Sequence, residues 1–125
     1  MDVTPLIPQG RQLIERYGNG GFRVSGESWR GSILVLPEWS AAWPVAAIDA
    51  LDLASLEPVF AARPAVEVLL IGCGRAMALI DPDLRAEARA RGVALEPMDT
   101  GAACRTYNVL MAEDRRVAAA LIAVD

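Results

Sequence analysis

Apolar positions over the first third of the chain fall in three short runs, residues 12–17, 21–25 and 28–36, separated by turn signals. This pattern predicts three β-strands. Gly18-Asn19-Gly20-Gly21 is a strong turn, because glycine and asparagine accept positive φ at little cost. Ser25-Gly26-Glu27 forms a second turn, so the three strands are expected as an antiparallel meander ended by Pro37. Residues 39–52 carry no clear period, and Trp39 and Trp43 are expected to cover an edge of the core. Trp29 reads the same way, as core or edge cover.

The remainder alternates strand and helix. Residues 55–62 fit a short helix closed by Arg63-Pro64, and residues 66–71 form a buried strand, apolar apart from Glu67. Asp81-Pro82 supplies an N-cap and a first-turn proline for a second helix that Gly92 stops. Residues 93–96 are the next strand. Thr100 is expected to cap a helix reaching about Glu113, and residues 117–124 to form a last buried strand. Alternating strands and helices imply βαβ units. The predicted fold class is therefore α/β, a β-meander feeding a mixed, partly parallel sheet with helices. The strands at 66–71, 93–96 and 117–124 should share one sheet, with at least two parallel neighbours. No repeat, linker or low-complexity tract interrupts this, so residues 1–125 read as one domain.

Composition narrows the function classes. At 125 residues and 54% hydrophobic, the chain can bury a real core. Its net charge is −4 and its arginines are scattered, so no basic face for nucleic acid is apparent. All twelve basic residues are arginine. Histidine is absent, which removes the commonest general base and metal ligand. Two cysteines without histidine cannot build an ordinary zinc site, so neither a metal nor a cofactor is expected. The longest apolar stretch, residues 117–124, is shorter than the ~20 residues of a membrane helix. Residues 1–12 show no export signal. A cytoplasmic location and reduced Cys73 and Cys104 are the resulting expectations.

Two segments could carry binding chemistry. In Ile71-Gly72-Cys73-Gly74-Arg75 a buried strand runs into a Gly-x-Gly turn, where the backbone can approach a ligand or another segment closely. Met77 stands where a dinucleotide fingerprint has its third glycine, and no phosphate-loop lysine exists. The open readings are a plain tight turn, a nucleotide site, and a small anion or peptide site. The second segment runs from Met98 through Asp99, Thr100, Cys104, Arg105, Thr106, Tyr107 and Asn108. It opens a helix, whose N-terminus favours anions. Arg105 either meets an anionic partner there or pairs with Asp99 or another acid of this chain. Both segments follow strands, and ligands of open α/β sheets bind outside the carboxyl ends of strands. Cys73, Arg75, Asp99, Cys104 and Arg105 would then border one crevice. Cys104 also reads as a small packed hydrophobe, and Arg115-Arg116 as a solvated turn after Glu113-Asp114.

The chain resembles the small family called domain of unknown function 498. The resemblance rests on Tyr17-Gly18-Asn19-Gly20-Gly21-Phe22-Arg23-Val24-Ser25-Gly26, Gly31-Ser32-Ile33-Leu34-Val35, Leu69-Leu70-Ile71-Gly72-Cys73-Gly74 and the run from Met98 to Leu110, continuing through Arg115 to Leu121. That family contains stand-alone bacterial and archaeal proteins and a mitochondrial assembly factor of respiratory complex I. The resemblance implies a three-layer fold of β plus α/β/α. It also implies a binding or assembly role with a protein partner, such as a membrane-complex subunit or another assembly factor, and leaves homo-oligomers open. The absence of histidine, lysine and a recognisable nucleophile–base pair favours such a module over an enzyme. The alternative is a small anionic ligand gripped by Arg75 and Arg105, with Cys104 or Asp99 performing chemistry.

Overall fold

The computed structural model describes residues 10–125; residues 1–9, and with them most of the stretch read as free of an export signal, lie outside the described part. Three antiparallel strands come first: β1 (Ile14–Gly18), β2 (Gly21–Val24) and β3 (Glu27–Arg30). The first turn forms as expected, with Gly18, Asn19 and Gly20 at φ of 125°, 53° and 78°.

The expected third strand, residues 28–36, is two strands in two sheets. β3 ends at Arg30, Gly31 turns the chain at φ 80°, and β4 (Ile33–Val35) enters the second sheet. Every residue of β4 is buried, as in a strand covered on both faces. The unreadable stretch holds a further strand, β5 (Ser40–Ala42), paired with β4 at the sheet edge. Its side chains are small and its pairing is local, so no period marks it.

Next come α1 (Glu57–Ala61), β6 (Val68–Gly72), α2 (Pro82–Ala90), β7 (Ala94–Met98), α3 (Thr100–Ala112) and β8 (Val117–Leu121). The second sheet has the order β5-β4-β8-β6-β7, with β6 parallel to both β7 and β8 and β4 antiparallel to β8. The three strands of the α/β half thus share one sheet. β7 extends through Pro97, which a ladder tolerates because β7 lies at the edge.

Alternate residues of the sheet feed two cores. Leu69, Ile71, Ala118 and Ala120 pack with Val59 and Phe60 of α1, Ala88 of α2 and the buried Trp43. Leu70, Val117, Ala119 and Leu121 pack with Cys104, Tyr107 and Met111 of α3 and with Ile14, Phe22 and Val24 of the meander. The three layers are therefore α1 and α2, the mixed sheet, and α3 beside the meander. Alanines on β8 let helices approach closely from both sides.

Two local expectations are corrected. Asp99, not Thr100, is the N-cap of α3: its side chain accepts from the Ala102 N–H at 2.8 Å. Arg116 is not solvated; it is half-buried and donates to Glu38 and to the Pro64 carbonyl.

Candidate functional site

Three strand ends meet at the N-terminus of α3, and Thr100 ties them together. The Thr100 N–H donates to the Gly74 carbonyl (2.8 Å), and its hydroxyl accepts from the Gly74 N–H (3.0 Å) while donating to the Ile122 carbonyl (2.7 Å). Thr100 has no exposed surface. The helix reaches this position because Gly72 lacks a side chain: a Cβ there would lie 3.1 Å from the Thr100 Cα and 3.0 Å from Leu121. The Gly-Cys-Gly turn is thus a close-packing device, pinned to the helix by its own main chain. Gly74, at φ 104°, turns the chain away.

Tyr17 reaches the same place from the meander. Ile14 is buried, and Tyr17, three residues on, lies against Gly101 of α3. An odd separation on one face of a strand requires an irregularity, and β1 has one: Ile14 faces Val24 while Arg16 faces Arg23. The extra residue re-aims Tyr17 toward α3 and turns Arg16 outward.

Tyr17, Gly74, Arg75, Asp99, Gly101, Val124 and Asp125 line an open crevice of about 310 Å³. Of the residues expected there, Gly74, Arg75 and Asp99 line it. Arg75 approaches Asp125 at 3.6 Å, but both side chains are largely exposed, so water screens the pair. Arg105 stands at the rim, with Nη1 3.3 Å from where a Gly101 Cβ would be. It forms no salt bridge among the described residues, and Asp99 is engaged in capping.

The other expected residues do not line the crevice. Cys73 and Cys104 are free thiols, buried in separate cores on opposite faces of the sheet. Burial pushes the Cys104 thiol up to about 12, outweighing Arg105, so it is un-ionised at neutral pH. Tyr107 is fully buried and donates its hydroxyl to the Gln12 carbonyl at 2.8 Å; burial raises its phenol above the usual range. Asn108 brackets Ile14, accepting from its N–H (2.9 Å) and donating to its carbonyl (2.8 Å). Tyr107 and Asn108 thus fasten the meander to α3, while Thr106 is half-buried beside them. Tyr17, Val124 and Asp125 were missed by sequence reasoning. The turn after β1 drew notice to Tyr17's neighbourhood, but only the strand irregularity directs its ring to the crevice.

Among the described residues no group of three metal-binding side chains occurs, and no helix is long and apolar enough to cross a membrane. Among the described residues, four large apolar side chains are exposed: Tyr17, Met77, Leu79 and Val109. Met77 and Leu79, 57% and 87% exposed, share the loop between β6 and α2 that begins at the crevice.

Residues 14–122 match the family described as Protein of unknown function (DUF498/DUF598). The chain belongs to that family. It is 37% identical over 110 residues to NADH dehydrogenase [ubiquinone] 1 alpha subcomplex assembly factor 3 of Xenopus tropicalis, covering 88% of this chain and 60% of that one. The chain therefore spans less than two thirds of that relative's length. An uncharacterised protein of Rhodobacter capsulatus is 44% identical over 113 residues, covering 90% of this chain and 86% of its own. Among solved structures, an outer membrane protein from Bartonella henselae superposes with a TM-score of 0.85 at 40% identity, over 93% of this chain and 98% of the other. A Mth938-like domain from Bordetella pertussis gives 0.82 at 33%, over 98% and 92%.

Proposed function

We propose that this family member is an assembly-type binding protein that holds a subunit or fellow assembly factor of a membrane-bound enzyme complex, through the crevice end of its α/β half. The observation that carries this reading is the 37% identity to a complex I assembly factor over 88% of the chain. The surface supports it chemically. Leu79 and Met77 offer apolar area, and Arg105 adds a charge-assisted donor at the rim. The gene product is read as a binding module, with Gly72, Cys73, Thr100, Cys104, Tyr107 and Asn108 supporting the surface from behind and Gly74, Arg75, Asp99 and Arg105 facing it.

Affinity purification of the full chain from its native cell tests this. Subunits or assembly factors of one membrane complex should co-elute, and Leu79→Asp should remove them without lowering the melting temperature. Arg105→Ala should weaken capture roughly tenfold to a hundredfold, with partial rescue by Arg105→Lys, which lacks the planar fork. An unchanged set of co-eluting proteins in both variants would refute the surface, and the absence of any membrane-complex component would refute the role. A second reading, a small anion in the crevice, draws on Arg105 having no carboxylate partner among the described residues. Calorimetric titration of phosphate into the wild type and Arg105→Ala separates the two: saturable binding lost in the variant supports the anion.

A further inference from the structure

The outer face of the meander holds a feature that the crevice does not explain. Arg16 on β1 is the register partner of Arg23 on β2, and Ser28 and Arg30 on β3 belong to the same outward row. All three arginines are exposed. They border a hollow of about 290 Å³ together with Gly21 and Trp29. Gly21 is required there, because a Cβ would lie 2.2 Å from the Trp29 carbonyl oxygen. Like charges directly opposite one another destabilise an antiparallel pair. Relief is slight: among the described residues the one salt bridge to this trio is Glu15 to Arg23, at 3.6 Å and half exposed. A protein of net charge −4 thus concentrates three guanidiniums on one small sheet face.

We propose that this face docks an acidic, extended segment of a partner protein. Each guanidinium presents a planar fork that fits a carboxylate. Alternate side chains of an extended segment lie about 6.6–6.8 Å apart on one face, within reach of long side chains on strands spaced about 4.8 Å apart. Charge complementarity selects this occupant. Glu15 stands 3.6 Å from Arg23, so a polyanion with uniformly spaced phosphates meets repulsion beside the arginines, whereas a peptide places carboxylates only where arginines are. The site is separate from the crevice and does not depend on the assembly reading.

Fluorescence anisotropy with the full chain and a labelled peptide alternating glutamate and serine tests the proposal. The wild type should bind saturably, and more weakly as salt rises. Arg16→Gln and Arg30→Gln should each weaken binding roughly tenfold, and the double variant roughly a hundredfold. Arg89→Gln, on α2, should change it little. Melting temperature should stay level or rise in Arg16→Gln, because repulsion with Arg23 is removed, which a purely structural arginine would not produce. Leu79→Asp should leave peptide binding intact, so failure of the crevice reading is read separately. Absence of saturable binding would overturn the proposal, as would equal weakening by Arg89→Gln. So would arginine-dependent binding of inorganic phosphate or of phosphatidylserine vesicles without binding of the peptide.

Discussion

Two glycines with crowded surroundings predict opposite outcomes for the same added methyl. At Gly21 the clash is with backbone, the Trp29 carbonyl oxygen at 2.2 Å, and neighbouring strands cannot yield locally. Gly21→Ala should therefore destabilise by at least about 2 kcal/mol in denaturant unfolding. At Gly101 the clash is with the Tyr17 hydroxyl, at 2.4 Å, the far end of an exposed side chain that can swing away. A helical alanine also gains up to about 1 kcal/mol over glycine. Gly101→Ala should accordingly stay within about 1 kcal/mol of the wild type while displacing Tyr17 from the crevice. Tyr17 fluorescence is masked by three tryptophans, so the displacement is best followed by the Tyr17 ring resonances in NMR. Equal destabilisation by the two substitutions would contradict this assignment. Sequence marked both positions as glycine in turn or helix-start contexts; what each glycine faces came only from the packed neighbours.

Between elements, the decisive device is the Thr100 hydroxyl, which serves β6, β8 and α3 at once. Thr100→Val keeps the shape and removes both hydroxyl bonds, leaving the Ile122 carbonyl and the Gly74 N–H without it. The expected cost is about 2–4 kcal/mol. Thr100→Ser keeps the hydroxyl and should cost about 1 kcal/mol or less. Hydrogen exchange at Gly74 should accelerate in the valine variant and stay slow in the serine variant; protection unchanged in Thr100→Val would show that the hydroxyl does not hold the turn. Helices α2 and α3 and strands β6, β7 and β8 were legible because caps, glycine stops and apolar runs are local signals. Thr100 is not the cap its local sequence suggests, for a physical reason: Asp99 and Thr100 are both good caps, and tertiary contact with Gly74 and Ile122 draws the threonine inward. Likewise Gly31 and Ser32 read as part of one strand, since nothing local says that the chain changes sheets there.

For the whole molecule, Glu38 links the segment after β4 to both ends of the fold, pairing with Arg11 and with Arg116 before β8. The Arg116 hydrogen bond, more than the charge of Arg11, holds its carboxyl below the ordinary value of 4.5 despite partial burial. A depressed folded-state pKa means stability that is present above about pH 4.5 and lost as pH falls through the lower folded value. With Glu38 40% exposed, solvent screening limits the effect to about 0.5–1 kcal/mol. Glu38→Gln should thus melt lower than the wild type at pH 7, and the gap should close in acid; a gap constant from pH 7 to pH 3 would contradict the linkage. The sequence by itself determined the fold class, the antiparallel meander, the strand–helix alternation and the family, because periodicity, turns and caps are properties of neighbouring residues. It also singled out the Gly72–Arg75 and Asp99–Asn108 segments that meet at one end of the sheet. Tertiary structure decided the rest. It put the two cysteines on opposite faces, made Tyr107 and Asn108 a bracket for β1, brought Tyr17 and Asp125 to the crevice, and gathered Arg16, Arg23 and Arg30 on one surface. Those outcomes depend on strand order, on one extra residue in β1 and on which side of a sheet a helix lands, and none of these is encoded in any short stretch of chain.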